Sequence, residues 1–179
     1  MAKILIAYAS ANGMTRECAE RLARELGGKD AVLCDLAKET PNLGDFDVII
    51  AGSSVRHGKL LRGARALLES VAKEGGKQPV GVFLCCGFAD RFEEYRDRLI
   101  PKEIRERAFL MANFGGTLNP AGKPFWDKLW LFFARSSVVE SEIDDGEYTP
   151  VLPGMIPENI GQMASFARAQ LAGNHGKNG

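Results

Sequence analysis

Short apolar runs that alternate with stretches of helical periodicity predict an α/β domain built on a parallel sheet. Two stretches carry that expectation furthest. The run DVIIAG at residues 47–52 is continuous and β-branched, as a strand covered on both faces has to be. The first apolar run passes through Ser, Asn, Gly and Thr straight into a helical pattern, which is the strand-to-helix step of such a domain.

The elements follow in order. Residues 3–9 read as the first buried strand. Residues 15–26 follow as a helix with Cys18, Ala19, Leu22 and Leu26 on one side, and Gly27-Gly28 ends it. Residues 31–35 are a short second strand and residues 47–52 the third. Residues 60–72 form a second helix, with Leu61, Ala64, Leu68 and Val71 along one stripe. VGVFLC at 80–85 is the fourth strand. From 90 to 107 both charge signs are dense, Phe92, Tyr95 and Leu99 make the apolar seam, and Pro101 breaks the run; this predicts a solvated surface helix. Residues 108–114 are the fifth strand. Residues 157–171 close the domain as a helix with proline in its first turn and Ile160, Met163, Ala167 and Leu171 inward. Residues 115–156 are too long for a plain connection and are expected to be functional. The chain is expected to be one domain over 1–172 with a disordered tail at 173–179.

Lys+Arg and Asp+Glu are equal at 23 each, so no long-range field draws the chain to nucleic acid. The four cysteines make no C-x-x-C pair, which points to a reducing compartment. The apolar start is too brief for a signal peptide and no run reaches a membrane span, so the expected location is the cytoplasm. With His57 and His175 as the only histidines, no metal site is expected.

The stretch AYASANGMT at residues 7–15 leaves the first strand through small uncharged residues. In an open α/β sheet, ligands bind beyond the carboxyl ends of the strands, near the point where the strand order reverses. Helix N-terminal amides there are unpaired and attract an anion. Ser10, Asn12 and Thr15 add groups that can donate to phosphate oxygens, and Gly13 permits a turn with φ > 0. The same residue types are ordinary caps, so the loop alone allows an anion site or a plain helix start. Its omissions narrow the ligand. There is no G-K-[ST] of a triphosphate loop and no G-x-G-x-x-G of a dinucleotide fold. No cysteine sits there as a phosphatase nucleophile. The third strand ends in Gly52-Ser53-Ser54 without the aspartate of a phosphoacceptor domain. A monophosphate that is held and not cleaved suits what remains.

On these residues, SANGMT resembles the FMN phosphate loop of flavodoxins, written [TS]-x-T-G-x-T. Ser10, Gly13 and Thr15 match, and Asn12 stands where threonine is usual. The resemblance implies a flavodoxin-like, doubly wound, five-stranded parallel sheet with an inserted aromatic-rich segment before the last helix, and FMN as cofactor. DVIIAGSSVRHGKLLRGARALLES is similar to a segment of the flavodoxin-like bacterial protoporphyrinogen oxidases, with His57 where that family tends to have tyrosine. KPFWDKLWLFFA sits where that family carries its long insert. This implies an FMN-dependent oxidoreductase of heme biosynthesis that oxidises protoporphyrinogen with a quinone-type acceptor. The alternative is a flavodoxin-type electron carrier acting through partner docking; a scaffold without cofactor is a third reading.

Cofactor contacts are then expected from Ser10, Ala11, Asn12, Gly13, Met14 and Thr15. The loop after the third strand would add Ser53, Ser54, Val55, Arg56, His57 and Gly58, and the loop after the fourth Cys86, Gly87, Phe88, Ala89 and Asp90. No catalytic side chain is assigned, because the flavin carries the chemistry. For His57 an exposed loop histidine, and for Arg56 a surface ion pair, are the competing readings. Arg56, Lys59, Arg62 and Lys123 are candidate partners for substrate carboxylates, with Trp126 and Trp130 as candidate substrate cover. Cys85 and Cys86, as strand neighbours, point to opposite faces and suit buried free thiols. The stripe Phe125, Trp126, Leu129, Trp130, Phe132 and Phe133 leaves three readings open: a lid, a homodimer contact, or a shallow peripheral contact of residues 125–135 with the inner membrane face.

Overall fold

The computed structural model describes residues 3–73, 78–116 and 154–175. Strand β1 (Ile4–Ala9) is buried at every position because it runs inside the sheet, between β2 (Ala31–Asp35) and β3 (Val48–Arg56). A two-residue strand β4 (Lys59–Leu60) turns back antiparallel on the end of β3. Strands β5 (Val80–Cys85) and β6 (Ala108–Asn113) extend the sheet on the far side of β3. The five long strands are parallel in the order β2-β1-β3-β5-β6. This is the doubly wound, flavodoxin-like arrangement expected from the sequence.

Period-two alternation divides the core between two faces. Ile4, Ile6, Tyr8, Val48, Ile50, Phe83 and Cys85 pack with helix α1 (Met14–Glu25) and the closing helix α5 (Pro157–His175). Leu5, Ala7, Ile49, Ala51, Val82, Leu84 and Cys86 pack with α2 (Arg62–Lys73), α3 (Phe92–Leu99) and α4 (Lys102–Arg107). Fully buried Ile6 and Ile50 face each other across β1 and β3, and burial of each side chain contributes about 1.5–3 kcal/mol. Cys85 and Cys86 fall on opposite faces, as their adjacency predicts. Gly52 is required by packing: a Cβ there would lie 2.0 Å from the Phe83 ring, which stacks on Phe114 at 4.3 Å between centroids. Helix α1 ends as expected. Gly27 and Gly28 take φ of 88° and 74°, and their amides return to the Arg24 and Ala23 carbonyls in a Schellman pair.

Four boundaries differ from the sequence reading. Strand β3 continues past residue 52 to Arg56 because Ser53 and Ser54 still pair with β1 and β5. Leu60 belongs to β4, so α2 starts at Arg62. The charged stretch is two helices with Pro101 between them, and Tyr95, Ile100 and Ile104 are all buried against the sheet. Gly173, whose helix cost is about 1 kcal/mol, does not end α5, which runs through His175 into the expected tail.

After β6 the chain leaves and re-enters side by side. Gly115 and Met155 form an antiparallel bridge, and the Ile156 amide donates to the Phe114 carbonyl. Lys123, Trp126, Trp130 and the whole 125–135 stripe lie outside the described residues, as do the readings placed on them. Among the described residues no helix is long and apolar enough to cross a membrane.

Candidate functional site: an anion cradle at the strand switch point

The chain goes from β1 outward to β2 and then to β3 on the opposite side, so the strand order reverses between β1 and β3. The loop at residues 10–13 and the N-terminus of α1 lie at that crevice. Gly13 is the helix cap, with φ 92°, and no side chain caps the helix. The first helical bond runs from the Glu17 amide to the Gly13 carbonyl at 3.0 Å. The amides of Thr15 and Arg16 therefore have no helical acceptor and meet the positive end of the helix dipole.

Two side chains are left ready to donate. The Ser10 hydroxyl accepts from the Gly13 amide at 3.0 Å, which leaves its own proton for a ligand. Asn12 Oδ1 accepts from the Met14 amide at 3.4 Å. Because an amide N–H only donates, this bond fixes the side-chain orientation and leaves Nδ2 as the outward donor. Asn12 is exposed, so it offers phosphate a donor as the usual threonine would. These groups, with no Lys, His or acid in the loop, suit an anion that is bound and left intact.

Thr15 departs from expectation. It is fully buried, and its hydroxyl lies 2.7 Å from Ser54 Oγ and not at the loop surface. Ser54 Oγ also receives the Ala11 amide at 3.4 Å. Ser53 is buried as well; its hydroxyl donates to the Ser54 carbonyl at 3.0 Å and accepts from the Leu61 amide at 3.2 Å. The two serines, expected as ligand contacts, fasten the first loop and the start of α2 to the end of β3. No sequence pattern signals this, since Thr15 and Ser54 are 39 positions apart.

Val55 to Gly58 are not an open loop. Val55 pairs with Leu60 and Arg56 with Lys59, so His57 and Gly58 form a two-residue turn with φ of 51° and 68°. Positive φ at both positions marks a type I′ hairpin, and histidine tolerates it better than most residues. Arg98 Nη2, on α3, donates to the Gly58 carbonyl at 3.1 Å and fixes the turn from outside the predicted set. Arg56, His57, Lys59 and Arg62 are all exposed.

The third segment, from Cys86 to Asp90, leaves β5 and enters a short 3₁₀ turn at Ala89–Arg91. Gly87 and Phe88 are half-buried and Asp90 is exposed, whereas Cys86 is buried in the core. Gly116 runs directly under this segment: a Cβ there would come within 2.7 Å of the Cys86 carbonyl and 2.8 Å of the Gly87 amide.

Three of the four thiols are pushed toward the protonated form. Burial, then the charge of Asp90, pushes Cys86 up to about 12, and burial with Glu39 pushes Cys34 up to about 11. Cys85 is raised by its hydrogen bond to Cys18 and by burial. Cys18, in turn, is lowered by its hydrogen bond with Cys85; all four cysteines are free and buried, as structural thiols are. Folded Cys34 and Cys86 bind protons more tightly than they do unfolded, where the value is 9.0. Stability is thus retained below pH 9 and lost as pH rises toward 11–12. Thermal melts are expected to show a falling midpoint from pH 9 upward, with a shallower fall in Cys86→Ala; equal slopes would remove Cys86 as a cause.

A doubly wound parallel sheet with a glycine-capped helix start at its switch point defines the class of protein. Residues 5–137 match the family described as Flavodoxin domain, and the chain belongs to that family. Solved structures share the fold. The rubredoxin:oxygen oxidoreductase of Desulfovibrio gigas is 16% identical with a TM-score of 0.59, and the match covers 95% of this chain and 36% of that one. The flavodoxin of Fusobacterium nucleatum bound to flavin mononucleotide is 12% identical, with a TM-score of 0.55 and coverage of 96% and 99%. A flavodoxin of Streptococcus pneumoniae TIGR4 is 20% identical, with a TM-score of 0.51 and coverage of 97% and 99%. This chain thus spans about a third of the Desulfovibrio protein. No curated protein matches it.

Proposed function

We propose that the chain binds FMN and works as an FMN-dependent oxidoreductase. The observation that supports this reading is the turn itself: the Thr15 and Arg16 amides without a helical acceptor, the Ser10 hydroxyl and Asn12 Nδ2 lie together on one strand-to-helix step at the switch point. These groups would hold the phosphate, and the segments at 55–58 and 86–90 flank the same crevice where the ring would lie. Bound FMN supplies acceptance of a hydride equivalent from a reduced organic donor and its release to an acceptor such as a quinone. The protein's part is to orient the ring through these two segments and to keep the phosphate end fixed through Ser54. No acid–base pair of this chain is assigned to the reaction.

Protoporphyrinogen is the donor to test first, on the likeness of residues 47–70 to the bacterial protoporphyrinogen oxidases. The purified chain is expected to show a bound-flavin absorbance spectrum after reconstitution with FMN, and then to oxidise protoporphyrinogen with a quinone and no partner protein. Absence of a bound-flavin spectrum would sink the cofactor reading. A flavin spectrum without turnover would favour the carrier reading, in which electrons pass only to a docked protein.

A further inference from the structure

We propose that Asn12-Gly13 is a self-modifying site, at which the Asn12 amide converts to a carboxyl group and the loop no longer holds an anion. The covalent chemistry stands on the loop alone; its consequence for FMN rests on the reading above.

Asn-Gly occurs twice in the chain, at residues 12–13 and 178–179, and the second pair lies outside the described residues. In such a pair the glycine nitrogen can close a ring on the asparagine side chain, because no Cβ obstructs its approach. The loop prepares that closure. The Met14 amide donates to Asn12 Oδ1 at 3.4 Å, which turns the side-chain carbonyl back toward the main chain that follows it. The same bond supports the negative charge that develops on Oδ1 during attack. Nδ2 is left on the outer side of an exposed residue, where a leaving group departs into water. Gly13 takes φ 92°, and apart from its chain neighbours nothing lies within 4 Å of where its Cβ would be. The space beside the reacting pair is open.

The step needs no co-reactant except water. Hydroxide takes the proton of the Gly13 amide, and the nitrogen attacks Asn12 Cγ. The new N–C bond forms as the Cγ–Nδ2 bond breaks; ammonia leaves with a proton from water, which returns the hydroxide. A succinimide results. Water opens it at Cγ to give aspartate, or at the main-chain carbonyl to give isoaspartate, with an added methylene in the backbone.

One contact restrains the attack. The Gly13 N–H that must lose its proton is bonded to Ser10 Oγ at 3.0 Å, and a hydrogen-bonded amide is shielded from solvent base. Ser10 is therefore the brake, and an anion seated on the loop would tighten it. The product disables the loop for anions: a carboxylate that only accepts replaces the outward Nδ2 donor, and its charge repels phosphate.

The test incubates the full chain, with and without FMN, at mildly acidic and mildly alkaline pH. Peptide mass spectrometry then follows residues 12 and 178 and separates aspartate from isoaspartate. Acid is expected to accumulate at residue 12, faster at the higher pH and more slowly with FMN. Ser10→Ala should speed it about fivefold, the worth of one hydrogen bond. Residue 12 remaining an amide, whether or not Asn178 converts, would overturn the proposal, as would a rate indifferent to Ser10→Ala. Asn12→Asp installs the product's charge directly and should bind FMN about tenfold or more weakly, with riboflavin affinity within about a factor of two. FMN affinity equal to that of the native chain would overturn the loss of function. A native chain that binds no FMN fails the cofactor reading alone, and the map of the flavin-free chain still decides the modification.

Discussion

Replacing Ser54 by alanine is expected to lower FMN affinity about tenfold or more while leaving riboflavin affinity within about a factor of two. The reasoning starts from the fully buried Thr15 hydroxyl, whose partner at 2.7 Å is Ser54 Oγ. Removing that oxygen leaves the buried hydroxyl only its weaker bond with the Cys85 thiol and takes the acceptor from the Ala11 amide, at a cost of about 1–3 kcal/mol. The loop that Ser54 ties down is the proposed phosphate cradle, so the part of the affinity that depends on phosphate should fall. A loss of 1.4 kcal/mol is a factor of ten. Riboflavin lacks the phosphate and reports the ring segments alone. Thr15→Val with Ser54→Ala removes both partners together, so the double variant should be more stable than the sum of the single losses predicts. Equal losses for FMN and riboflavin, or additive stabilities, would show that Ser54 does not act through the cradle.

That pair also shows where sequence reading stops. The five long strands, the Schellman end of α1 and the opposite facing of Cys85 and Cys86 follow from periodicity and local chemistry, and all were legible. The positive-φ turn at Gly13 that opens α1 was legible too. The pairing of Thr15 with Ser54 was not, because a side-chain contact between distant positions leaves no period in the sequence. The hairpin was hidden for two reasons. Its turn is His-Gly and not Asn-Gly, and Leu60 also fits the apolar stripe of the following helix, spaced four from Ala64 and eight from Leu68. Ile100 and Ile104 were obscured by the charge around them; Pro101 re-aims the chain so that both reach the core.

Alanine at Gly116 should produce the complementary defect, weakening FMN and riboflavin together. Gly116 is buried under the segment after β5, and a Cβ there would meet the Cys86 carbonyl at 2.7 Å and the Gly87 amide at 2.8 Å. Both are backbone atoms, so no side chain can swing aside and the segment itself must move. Overpacking of this kind costs about 1–3 kcal/mol, which for a chain of this size lowers the melting midpoint by about 2–4 °C per kcal/mol. The displaced residues are those proposed to flank the ring, whereas the loop at residues 10–15 is tied to β3 through the Ser54 hydroxyl. Riboflavin affinity should therefore fall by the same factor as FMN affinity, which separates this variant from Ser54→Ala. A normal midpoint with unchanged riboflavin binding would mean that the segment at 86–90 yields without consequence and does not position the ring. Loss of FMN binding alone would assign Gly116 to the phosphate end, against the contacts seen.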